Sequence, residues 1–169
     1  VDSNLVGILK GPVTGSGTTE VHTLNAADQW SSWLLETGTG LGLTYGSGED
    51  WDFALNSAGD LFGILKGPVS GSGKTELHVL TAASNYQTYS LQIGTGIGYT
   101  SGGGEEWEFM LNDQDDLVGV LKGPVSGSGK TEVHILSAAS NYQTYSLQVG
   151  TLAQAWVTLV VVAKNGNLY

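Results

Sequence analysis

The sequence repeats itself with a fixed period, and few folds accept that. Its prolines, Pro12, Pro68 and Pro124, fall 56 residues apart, each inside the tripeptide Gly-Pro-Val. Residues 67–93 match residues 123–149 at all but four positions, the exchanges being Leu77/Val133, Val79/Ile135, Thr81/Ser137 and Ile93/Val149. Each exchange keeps an apolar or β-favouring residue of similar size, as half-buried strand positions require. The first unit is more diverged but keeps Gly-Pro-Val, Thr19-Glu20-Val21-His22 and the pair Ala26-Ala27. A period of this order marks arrays and propellers, in which each unit buries its apolar faces against its neighbours.

Within a unit the pattern reads as four strands. In the third unit they are expected at 107–111, 117–122, 131–136 and 142–149. Gly, Asn, Asp and Ser punctuate the β-branched runs between them. No window keeps an apolar period of 3.6 residues with caps, so no helix is expected. The first unit opens at strand two, because Leu5-Val6-Gly7-Ile8-Leu9-Lys10 parallels Leu61-Phe62-Gly63-Ile64-Leu65-Lys66. Residues 156–163, opened by Trp156, stand where Trp51 and Trp107 open strand one elsewhere. Pairing that segment beside residues 5–10 would join the two termini and remove a sheet edge.

The expectation is therefore one all-β domain over 1–169, made of three repeats of four antiparallel strands. The units are 156–169 with 1–50, then 51–106, then 107–155. A small propeller-like ring fits best. A β-trefoil and a dimer forming a six-bladed ring are the alternatives.

Composition narrows the function. Sixteen acidic residues against six basic ones leave a net charge of −10, which opposes nucleic-acid binding and docking on anionic membranes. There is no cysteine, so disulfides and thiolate metal sites are excluded. No apolar run reaches the roughly 18 residues of a membrane-spanning helix.

Several segments together resemble the FG-GAP/VCBS repeats of the integrin α-subunit N-terminal superfamily. They are Trp-Asp-Phe-Ala-Leu (51–55), Asp-Leu-Phe-Gly-Ile (60–64), Thr-Glu-Leu-His-Val-Leu (75–80) and Ala-Ala-Ser-Asn-Tyr-Gln (82–87). The resemblance implies four-stranded propeller blades and a secreted, glycan- or ligand-binding protein. It departs from the family at the calcium loop between strands one and two. Here the turns are 56–60, 112–116 and 164–167, and only the second keeps enough oxygens to be a candidate. No cofactor is expected, and a solvated polar turn is the simpler reading.

Gly71-Ser72-Gly73-Lys74-Thr75 and its copy at 127–131 mimic the end of a P-loop. They precede a strand, whereas phosphate binding needs a helix N-terminus there. The pairs Glu20/His22, Glu76/His78 and Glu132/His134 lie two apart on a strand, so each pair shares a face. They read either as a polar pocket for sugar hydroxyls or as a repeated structural bond. Zinc is disfavoured, since each unit has one His and zinc wants three or four ligands. The aromatic pairs Trp30/Trp33, Tyr86/Tyr89 and Tyr142/Tyr145 offer faces for sugar rings. The first of each pair follows a polar loop containing Gln29, Asn85 or Asn141 and is expected to touch ligand; the second is expected in the core. Trp51, Trp107 and Trp156 either fill the interior or join the site.

The reading is a non-enzymatic, lectin-like carbohydrate-binding module with up to three equivalent sites. Its expected site residues are Glu20, His22, Trp30, Glu76, His78, Asn85, Tyr86, Glu132, His134, Asn141, Tyr142, Trp51, Trp107 and Trp156. A protein-interaction scaffold and a glycoside hydrolase are the rivals. The expected partners are glycans or polysaccharide surfaces, with no nucleic acid and no membrane insertion, and self-association left open.

Overall fold

A computed structural model describes residues 4–11, 15–46, 48–67, 71–102, 104–122 and 128–154. Strands β1 (Leu5–Leu9), β2 (Thr18–Leu24) and β3 (Trp33–Gly42) form a three-stranded sheet. β4 (Trp51–Leu55), β5 (Leu61–Leu65), β6 (Glu76–Leu80) and β7 (Tyr89–Gly94) form a second sheet in chain order. β8 (Trp107–Leu111), β9 (Leu117–Leu121), β10 (Lys130–Leu136) and β11 (Tyr145–Gln154) form the third. All pairings are antiparallel and join neighbours along the chain, so each sheet is a meander.

The sheets stack face to face in sequence order. One core joins Val21, Val6 and Ile8 of the first sheet to Trp51, Leu61, Leu65 and Leu80 of the second. The opposite face of the second sheet, with Phe62, Ile64, Leu77 and Val79, meets Trp107, Phe109, Leu117 and Leu136 of the third. This explains why all five residues of β5 are buried. A strand covered on both faces needs a continuous apolar run, and Leu-Phe-Gly-Ile-Leu supplies it.

Polar clamps fix the stacking. Lys10 Nζ donates to Trp51 O at 3.0 Å, and Lys66 Nζ donates to Trp107 O at 3.1 Å, each reaching into the next sheet. The Gly40 N–H donates to Tyr86 O and the Gly96 N–H to Tyr142 O, both at 2.8 Å. A Cβ at Gly40 would run into Gln87 O, and one at Gly96 into Gln143 O. These two glycines are therefore required by close approach of backbones.

Three expectations change. The sheets are separate and no closed barrel joins them among the described residues, which removes the trefoil. The fourth strand of the third unit starts at Tyr145, not at 142, because 138–140 form a 3₁₀ turn and Asn141 and Tyr142 take the left-handed conformation at φ 50° and 59°. That geometry ends one element and cannot open a strand. Short 3₁₀ turns recur at Ala26–Asp28 and Ala82–Ser84, where no helical structure was expected. The segment at 156–163, expected to complete the first sheet, lies outside the described residues. Among the described residues no helix is long and apolar enough to cross a membrane.

Candidate functional site

Each Glu/His pair closes as the spacing predicts. His22, His78 and His134 Nε2 lie 2.8, 3.2 and 3.1 Å from the Oε2 of Glu20, Glu76 and Glu132. The other carboxylate oxygen accepts a backbone N–H from the Gly/Ser loop: Ser16 at 3.0 Å, Ser72 at 3.1 Å and Ser128 at 2.9 Å. So the loop that mimics a P-loop folds back onto its own strand and caps a glutamate.

These bonds hold the carboxylates ionised. Glu20 is lowered to about 2, first by the His22 bond and then by Ser16. Burial works against the charge of Glu76, but the Ser72 and His78 bonds outweigh it and its pKa falls. Glu132 falls too, chiefly through the Ser128 N–H. Burial pushes His78 below its ordinary value, against the pull of Glu76. A neutral imidazole beside an ionised carboxylate must donate from Nε2. Nδ1 of His78 is then a buried acceptor, and neither it nor the buried Nδ1 of His134 has a hydrogen-bond partner among the described residues.

Aromatic rings flank each imidazole. Trp51 meets His78 edge-on at 5.1 Å, and Tyr89 meets its other side at 6.0 Å. Trp107, His134 and Tyr145 repeat this at 4.9 and 5.7 Å. In the first sheet Trp33 takes the tyrosine's place, 5.1 Å from His22. Trp51 and Trp107 are buried, and each indole N–H donates to a loop glutamate, Glu49 or Glu105, at 2.8 Å. The acids preceding the tryptophans are thus tied to them.

The accessibility of the aromatic pairs is reversed from expectation. Tyr86 and Tyr142, the first of each pair, are 8% and 6% exposed and pack into the sheet cores. Tyr89, Tyr145 and Trp33, the second, are 39%, 39% and 53% exposed. The cause is the turn. Left-handed φ at Asn85 and Tyr86 swings the first ring back under the preceding sheet, and the strand then presents the second outward. Asn85 and Asn141 serve as caps of the 3₁₀ turns, each donating its backbone N–H to Ala82 O or Ala138 O. Trp30 has the same backbone, at φ 61°, but is 51% exposed. Trp156 lies outside the described residues.

No family model matches this chain. Nor does any curated protein or solved structure. The likeness to FG-GAP/VCBS repeats rests on its own residues.

The candidate calcium turns spend their asparagine side-chain oxygens on their own backbone. Asn56 Oδ1 accepts from Ala58 N and Asp60 N, while Asn112 Oδ1 accepts from Gln114 N and Asp116 N. Asp60 and Asp116 each accept the N–H that opens the following 3₁₀ turn, from Ala82 and Ala138. The turn at 164–167 lies outside the described residues.

One residue escaped the sequence reading. Glu36 of β3 is the cross-strand partner of His22. In the other sheets that position is Gln92 or Gln148. The signal was available as a Glu among two Gln in aligned repeats.

Proposed function

We propose that the chain is a non-enzymatic carbohydrate-binding module with repeated shallow sites, one per sheet. The observation that carries this is the recurrence of an exposed aromatic ring beside a bonded Glu/His pair: Tyr89 at His78, Tyr145 at His134, Trp33 at His22. Sugars present apolar C–H faces to such rings, and the neighbouring polar groups (Gln92, Gln148, Glu36) accept or donate to their hydroxyls. Trp51 and Trp107 back the imidazoles, and Tyr86, Tyr142 and their Asn neighbours hold the turns that aim the second ring outward. Weak equivalent sites on one rigid body gain avidity for a repetitive glycan surface outside the cell.

The three sheets, on this reading, are propeller-type blades like those of FG-GAP/VCBS repeats. The first is completed by the Trp156 strand beside β1. Its support is a groove of about 410 Å³ on the first sheet, lined by Leu5, Gly7, Leu9, His22, Leu24 and Trp33. Trp51 and Trp107 fill that place in the other sheets.

Against hydrolysis stands the tying-up of the loop acids. Glu49 and Glu105 hold indoles, and Asp50 and Asp52 hold Lys66. A glycosidase needs two carboxylates free to act on one bond. Glycan-array binding with Tyr89→Ala and Tyr145→Ala variants tests the proposal. Loss of at least about tenfold in avidity, with folding retained, is expected. A chain that is silent on every glycan but captures protein ligands would favour the interaction-scaffold reading instead.

A further inference from the structure

We infer that the first sheet, alone of the three, carries a divalent-metal site of the zinc or manganese kind, built from Glu20, His22 and Glu36.

The three residues share one face. Glu20 and His22 are two apart on β2, and Glu36 sits directly across from His22 on β3. One ligand atom from each lies within 4.8 Å of the others. One imidazole nitrogen and two carboxylate oxygens leave one or more positions for water, a donor set that borderline-hard divalent ions accept. Bonds of about 2.1 Å at tetrahedral angles put ligand atoms about 3.4 Å apart. The Glu20–His22 separation of 2.8 Å therefore needs only a small opening when the ion replaces the shared proton. Glu20 is already oriented, because Ser16 N and Ser16 Oγ hold its other oxygen at 3.0 and 2.7 Å.

Charge supplies an independent argument. Two other acid pairs of the fold close on a lysine ammonium: Asp50 and Asp52 on Lys66, Glu106 and Glu108 on Lys122. Glu20 and Glu36 have no lysine or arginine ion pair among the described residues. Among the described residues the His22 imidazole is the group that stands between them. Replacing a Gln by Glu there adds a like charge that costs stability by itself. A bound dication neutralises both carboxylates.

The repeats provide the control. The second sheet has Glu76, His78 and Gln92, and the third has Glu132, His134 and Gln148. An amide oxygen is a far weaker zinc ligand than a carboxylate, so these sheets lack the second carboxylate.

The test is calorimetric titration of Zn²⁺ into the untagged chain, with excess Mg²⁺ present to occupy scattered surface carboxylates. One site is expected, with the ring NMR signals of His22 shifting while those of His78 and His134 stay. Glu36→Gln, which gives the first sheet the residue the others already fold with, should weaken binding at least about tenfold. Gln92→Glu should raise the stoichiometry to two. No saturable binding, binding indifferent to Glu36→Gln, or a stoichiometry unmoved by Gln92→Glu would each overturn the proposal.

Discussion

Single side chains in this fold work as bridges between charged groups that burial has half stripped of water. Lys66 is the clearest. Its ammonium meets Asp50 at 3.1 Å and Asp52 at 3.2 Å and also donates to Trp107 O in the next sheet. Burial is the largest influence on Asp52 and raises its pKa despite the lysine beside it. Lys66→Met should therefore cost about 3 kcal/mol in urea unfolding, the usual loss when one partner of a buried pair is removed. The loss should be smaller at pH 5 than at pH 8, because an unpaired Asp52 escapes by taking a proton. An equal cost at both values would mean that Asp52 stays ionised without its partner.

The Glu/His pairs set the acid limit. Glu20, Glu76 and Glu132 have folded pKa values below the ordinary 4.5, so they stabilise the fold above that pH and lose this as pH falls through it, toward about 2 for Glu20. His78 is held below 6.5, so the unfolded chain takes up its proton first and stability begins to fall below that value. Both signs agree. Thermal midpoints should be flat above pH 7, sag below about 6.5 and drop steeply below about 4.5. A midpoint that rises on acidification would contradict this assignment.

At the scale of strands, glycines record where the repeat is filled and where it is open. A Cβ at Gly63 of β5 would lie 3.2 Å from both Trp51 and Phe53, and one at Gly119 of β9 2.7 Å from Phe109. Gly7 of β1, in the same register, has nothing within 4 Å among the described residues. Alanine should cost about 2 kcal/mol at Gly63 and Gly119 by overpacking. At Gly7, where the proposed Trp156 strand would bring an indole to the same place, it should cost a comparable amount, and no cost there would leave that face open. Denaturant midpoints of the three single variants decide this. A cost at Gly7 equal to the others would show its face covered as theirs are. The same register shows what sequence could convey. Strand positions were legible because alternation and turn residues repeat, and β8 is found at the expected residues. The aromatic pair was not, because its outcome depends on left-handed φ at Asn85 and Tyr86, which tyrosine spacing does not encode. Face-to-face stacking was legible only as a need for neighbours; the Gly40 and Gly96 contacts that set it are tertiary.

For the whole molecule, the open question is what meets the outer face of the first sheet. The two sheet junctions share one design: a glycine on or just beyond the last strand donates its N–H to a carbonyl of the next sheet's turn, and the lysine that follows β1 or β5 clamps the next tryptophan carbonyl. In the third unit Leu152 occupies the position of Gly40 and Gly96, so a third junction of that design is not offered. Completion of the first sheet by the Trp156 strand would then be strand addition, drawn by the edge of β1 that no described residue pairs and the apolar groove beside it. Deleting residues 155–169 tests this without touching either junction. Under strand addition the shortened chain should lose at least about 2 kcal/mol of stability, as a large buried apolar side chain is removed. It should also bind an apolar dye that Gly7→Leu, by filling the groove, then suppresses. An unchanged unfolding midpoint would place the tail elsewhere and leave β1 as a true edge, with two complete aromatic sites and one open one.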